Sequence, residues 1–113
     1  MDTASPSISP TELSARLARN DAPLVLDVRR DVRYAEADCV LPQAQRCDPN
    51  DVASFAASQA PREAVVYCVH GLEVGEQAAA QLRAQGWDAR FLEGGIEGWR
   101  AAGLPTIPKR GEA

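Results

Sequence analysis

Apolar positions in this chain fall into short unbroken runs, separated by segments with helical spacing. "PLVLDV" at 23–28, "AVVYC" at 64–68 and "WDARFL" at 87–92 read as short strands, the first two buried on both faces. "VLP" at 40–42 offers a further short strand. In "SPTEL", Ser9 is placed to cap a helix, Pro10 to open it and Glu12 to complete a capping box. Leu13 and Leu17 then share one face of a helix that should reach about Arg19. "CDPND" repeats this chemistry: Asp48 caps, Pro49 comes first, and Asp51 lies in the first turn, where the helix dipole favours an acid. Val52, Phe55 and Ala56 give that helix a buried stripe, and "QAPRE" ends it. A third helical pattern runs from about Val74 to Gln85 and stops at Gly86. "GGIEGWRAAG" predicts a tight turn at Gly94 and Gly95, then a short helix presenting Ile96 and Trp99 to the core. "RRDVRYAEADC" is polar and weakly periodic, a connection with one helical turn near Tyr34.

Strands that alternate with helices predict an α/β domain, its mostly parallel central sheet covered by helices on both faces. Strand 64–67, helix 74–85 and strand 88–92 form one strand–helix–strand unit, expected to cross over right-handed. One domain is expected over 9–107, between a flexible N-terminal tail at 1–8 and a C-terminal tail at 108–113. A chain of 113 residues suits a single domain that buries its core without staples.

Charge and cysteine usage narrow the function classes. The net charge is −4, the only lysine is Lys109, and no basic stripe appears, which argues against nucleic acid as a partner. No apolar run approaches the roughly 18 residues that a membrane span requires. "MDTASPSISP" lacks the charged start and apolar centre of a secretory signal, so the expected location is the cytoplasm. The three cysteines, Cys39, Cys47 and Cys68, form no C-x-x-C, and His70 is the sole histidine. That pattern argues against a disulfide framework and a structural zinc site, and no metal or cofactor is expected. Oligomeric state is not legible.

Cys68 occupies a chemically distinctive position. It ends a buried strand, and "CVHGLE" leads from it into a helix N-terminus. In open α/β sheets, ligands bind beyond the carboxyl ends of the strands. Free amides at a helix start hold anions and favour a nearby thiolate, which is the nucleophilic form of cysteine. Gly71 lets the loop curl so that successive amides point inward. Against this stands the plainer possibility of a small apolar residue finishing a strand. Spacing alone leaves the two evenly matched.

Three stretches, in order, carry a family resemblance. "LVLDVR" resembles the first-strand signature of single-domain rhodaneses, the sulfurtransferase family. "YCVHGLEVG" resembles their active-site loop, and "FLEGGIEGWRAAGLP" the motif after their last strand. Together they cover about residues 9–107. The resemblance implies a rhodanese-like fold and a bacterial sulfurtransferase in which the Cys68 thiolate takes sulfur from a small donor as a persulfide. It then passes that sulfur to a thiol or cyanide. Val69, His70, Gly71, Leu72 and Glu73 would form the substrate-binding loop, their amides stabilising the persulfide. Asp27 and Arg29 match the signature pair and imply a supporting role, with Asp27 accepting loop hydrogen bonds and Arg29 pairing with an acid such as Glu36.

Departures qualify this reading. The position six residues after Cys68, where cysteine-based phosphatases need a phosphate-clamping arginine, holds Val74, so phosphatase chemistry is disfavoured. Many active rhodaneses carry a basic or neutral residue where this chain has Glu73, whose carboxylate would repel dianionic thiosulfate. The loop wording is similar to rhodanese-like modules found with bacterial chromate-resistance proteins. "EADCVLPQAQ" departs from the family's Gly-His pair before "IPGA". The alternative function is therefore a non-catalytic or sensing module that binds an oxyanion or a partner protein through the Cys68 loop. His70 reads more simply as an exposed loop residue than as a proton donor. Arg46 reads as a solvated surface arginine, and Cys39 and Cys47 as incidental rather than resolving thiols.

Overall fold

A computed structural model describes residues 7–19, 21–70 and 73–109. Five parallel strands form the central sheet: β1 (Ser7–Ile8), β2 (Leu24–Asp27), β4 (Ala44–Arg46), β5 (Glu63–Tyr67) and β6 (Asp88–Leu92). Their order is β1-β6-β5-β2-β4, which makes β5 the central strand, as expected for the strand leading to Cys68. A second, two-stranded antiparallel sheet pairs β3 (Cys39–Val40) with β7 (Ile107–Pro108).

Strand alternation divides the core between two faces. Leu26, Val28, Ala64 and Val66 face α3 (Val52–Ser58) and α4 (Glu73–Ala84), packing with Val52, Ala56, Ala79 and Leu82. Val25, Val65 and Tyr67 face α1 (Pro10–Leu17) and α5 (Gly95–Ala101), packing with Leu13, Ile96 and Trp99. The remaining helix, α2 (Asp31–Glu36), buries no residue and lies over the carboxyl end of β2. Among the described residues, no helix is long and apolar enough to cross a membrane.

Local chemistry places the helix starts largely as anticipated. Ser9 Oγ accepts the Glu12 amide at 3.1 Å. The reciprocal half of the capping box is not formed, because the Glu12 carboxylate turns to Arg90, 3.6 Å away. Asp48 caps as predicted, accepting the Asn50 amide at 2.8 Å, but Pro49–Asp51 form a 3-10 turn before α3 begins.

The domain extends further at both ends than the sequence suggested. Ser7 and Ile8, assigned to a tail, pair with Phe91 and Leu92, and Ile8 is fully buried. Pro108, also assigned to a tail, pairs with Cys39, and Lys109 Nζ donates to the Tyr34 carbonyl at 2.6 Å. These segments are ordered by long-range partners, and two residues at a time leave no periodicity to detect. β4 escaped notice for the same reason.

Candidate active site

Cys68 directly follows β5 and is 7% exposed. Strand parity turns it toward α4, where it meets Gly75. A Cβ at Gly75 would lie 3.4 Å from Cys68 Sγ, so a glycine here gives the sulfur close access to the helix backbone. The backbone of the cysteine is fixed from the other side. The amide of Ile96 donates to the Cys68 carbonyl at 2.9 Å, and that of Glu97 to the Val69 carbonyl at 3.0 Å. Gly94 and Gly95, at φ of 74° and 59°, turn the chain so that α5 starts against this strand exit. "EGGIEGW" thus clamps the strand end that carries the thiol.

Cys68 opens onto a cleft of about 210 Å³ lined by Arg29, Arg30, Arg33, Val69, His70, Glu73 and Val74. Val69 is half-buried and His70 exposed; Glu73 is exposed at the first position of α4. Gly71 and Leu72, the other two predicted loop residues, lie outside the described residues. Arg30 and Arg33 were missed in the sequence. They precede and occupy α2, a helix with no apolar stripe, and their spacing of three residues along one helical turn was the available signal. Both are exposed. Arg33 makes a 3.6 Å ion pair with Glu36 at the surface, which offsets part of its charge, and Arg30 is a second cation in a lining that also holds Glu73.

The third arginine is committed elsewhere. Arg29 is 3% exposed and Asp27 1%. Arg29 Nη2 donates to Asp27 Oδ2 at 2.6 Å, and Nε to Oδ1 at 3.0 Å. The Arg29 amide also donates to Oδ1, at 3.1 Å. The acid that pairs with Arg29 is therefore Asp27 and not Glu36. Residues two apart in extended chain project to the same side, so the signature pair satisfies itself. Arg29 Nη2 reaches on to the Cys39 carbonyl at 3.0 Å. Tyr67, immediately before Cys68, donates its hydroxyl to Asp27 Oδ2 at 3.0 Å and accepts the Leu41 amide at 3.2 Å. Burial, reinforced by the Asp27 charge, pushes its phenol well above the usual range. The network ties together the ends of β2, β3 and β5, which hold Cys68 and the arginine-bearing segment in register.

The other candidates lie apart. Arg46 donates to the Asp27 and Cys47 carbonyls at 3.0 and 3.1 Å and stacks 4.3 Å from the Tyr34 ring centre, so it is tied down rather than solvated. Cys47 and Cys68 both lie level with Val28, directly after the strands flanking β2. Two strand spacings separate them by about 10 Å, beyond the roughly 7 Å that a disulfide tolerates between Cα atoms. Burial and the nearby Asp51 carboxylate push the Cys47 thiol up. Cys39 sits in β3 with its carbonyl on Arg29.

The profile of the rhodanese-like domain matches residues 9–102. The chain belongs to the rhodanese-like domain family. Solved structures agree. The rhodanese-like domain of an Anabaena protein is 30% identical over 91% of this chain and 79% of its own, with a TM-score of 0.77. A rhodanese-related protein from Thermoplasma volcanium matches at 22% identity over 90% of this chain and 97% of that one, TM-score 0.76, a likeness of fold. A thiosulfate sulfurtransferase from Pseudomonas aeruginosa is 30% identical, TM-score 0.70; the match covers 94% of this chain but 20% of that protein. No curated protein matches. Cys68 lies at the carboxyl end of the central strand of this rhodanese-like fold.

Proposed function

We propose that this rhodanese-like domain is a sulfurtransferase that carries sulfur as a persulfide on Cys68. The observation that carries this reading is the placement of Cys68 Sγ at the carboxyl end of the central strand, against Gly75, in a cleft whose mouth bears Arg30 and Arg33. An anionic donor such as thiosulfate would enter with its charge facing the arginines. The Cys68 thiolate attacks the outer sulfur. The S–S bond of the donor breaks, sulfite leaves with the bonding pair, and a new S–S bond joins the transferred sulfur to Sγ. A thiolate or cyanide then attacks that sulfur, and Cys68 departs as thiolate. No proton donor is required for sulfite to leave, consistent with an exposed His70 serving only as cleft wall. Backbone amides from Val69 to Glu73 would stabilise the anionic persulfide. The small donor and the acceptor thiol are the partners this chemistry calls for.

Steady-state kinetics with thiosulfate and cyanide test the proposal. Parallel double-reciprocal lines are expected, with turnover lost in Cys68→Ser. The same arginines also suit a module that binds an oxyanion without transferring sulfur; thiosulfate binding without sulfite release would establish that alternative instead.

A further inference from the structure

A second groove adjoins the Cys68 cleft, with Arg30 and Val74 as their common wall. Its volume is about 390 Å³, and it runs between α2, the 3-10 turn and α4. The size difference is informative. The Cys68 cleft, at about 210 Å³, falls below the roughly 300–1,000 Å³ typical of organic-ligand sites and suits a small anion or cyanide. The adjoining groove falls inside that range.

We propose that this groove is the acceptor subsite and takes a small zwitterionic peptide thiol. The inference rests on the sulfurtransferase reading. An external acceptor is required because Cys47 lies about two strand spacings from Cys68 and Cys39 packs against the core on the opposite face of the sheet, so neither reaches it as a resolving thiol. The groove carries both signs of charge. Arg30 stands at the end shared with the Cys68 cleft, and Asp31 and Asp48 line the wall opposite α4. Gln77 and Gln81, exposed one turn apart on α4, offer amide donors and acceptors along its length. A peptide thiol has matching parts: a carboxylate for Arg30, an ammonium for the aspartates, and peptide groups for the glutamines. Lying in the groove, it would direct its sulfur past Val74 toward Cys68. Cyanide and simple thiols would use none of these contacts.

Glutathione is the probe for turnover, and S-methylglutathione, which cannot accept sulfur, the probe for binding. Titration of the wild-type protein with S-methylglutathione should give saturable amide shifts centred on Arg30, Asp31, Gln77 and Gln81. Gln77→Trp, which fills the groove from an exposed helix position, should abolish them. In turnover, Gln77→Trp should lower the ratio of kcat/KM for glutathione to that for cyanide about tenfold, the equivalent of roughly one hydrogen bond with its contacts. Asp31→Asn should raise KM for glutathione with kcat little changed. Absent or scattered shifts, or an unaltered acceptor ratio in Gln77→Trp, would overturn the assignment even if thiosulfate loads Cys68. Saturable groove binding in a protein whose Cys68 never accepts sulfur would instead overturn the sulfurtransferase reading, and with it the acceptor role.

Discussion

Replacing Asp27 with alanine should be among the most damaging single changes in this domain. The carboxylate accepts from the side chain and amide of Arg29 and from the Tyr67 hydroxyl, at 2.6 to 3.1 Å. Arg29 is 3% exposed, so Asp27→Ala leaves a buried guanidinium whose remaining hydrogen-bond acceptor among the described residues is the Cys39 carbonyl. Breaking one side of a buried pair costs about 3–5 kcal/mol. For a domain of this size that is a large share of a total stability of about 5–15 kcal/mol, and it corresponds to a fall in Tm of roughly 10–20 °C. Urea and thermal unfolding followed by circular dichroism would measure it. The paired variant Asp27→Leu/Arg29→Met removes both charges and keeps apolar volume, so it should be less destabilised than Asp27→Ala alone. The reasoning fails if Asp27→Ala costs under about 1 kcal/mol, or if the paired variant is the less stable of the two.

Glu73, Glu63 and Gly98 each offer a further test. Glu73→Gln should raise thiosulfate turnover by roughly threefold at low salt and by less at high salt, because it removes a negative charge from the cleft that Arg30 and Arg33 also line; equal rates of wild type and variant at both salts would show that Glu73 does not act on the donor. Glu63 accepts Arg16 at 2.6 and 2.7 Å, and this pairing holds its carboxyl below the usual range. A depressed carboxyl contributes stability above its unfolded pKa and loses it as pH falls through the folded value. Glu63→Gln should therefore be about 1 kcal/mol less stable at neutral pH and approach wild type as pH falls from about 4.3, the unfolded value, through the lower folded one, as unfolding across that range would show. In Gly98→Ala the new Cβ would meet the Glu93 carbonyl oxygen at 2.9 Å, so the helix-propensity gain should be overridden and stability should fall by about 1–3 kcal/mol in chemical denaturation.

What the sequence made legible was the set of elements that announce themselves locally. Buried runs at β2, β5 and β6, caps at Ser9 and Asp48, and the turn at Gly94–Gly95 each depend on neighbours in the chain, and each was found. The position of Cys68 followed, because strand, loop and helix are contiguous. The features it hid are those that distant residues create. β1, β4 and β7 are two or three residues long and exist because β6, β2 and β3 supply their hydrogen bonds. α2 buries nothing, so no stripe betrayed it, and with it went the arginines that line the cleft. The partner of Arg29 was sought at Glu36, seven residues on, whereas the geometry of extended chain places it two residues earlier, at Asp27.

The central claim is that sulfur travels on Cys68, and intact-protein mass spectrometry after exposure to thiosulfate tests it most directly. The account predicts a gain of one sulfur atom, about 32 Da, reversed by cyanide and mapped by peptide digestion to the segment holding Cys68. An unchanged mass, or an added sulfur carried by Cys39 or Cys47 while Cys68 stays reduced, would contradict it.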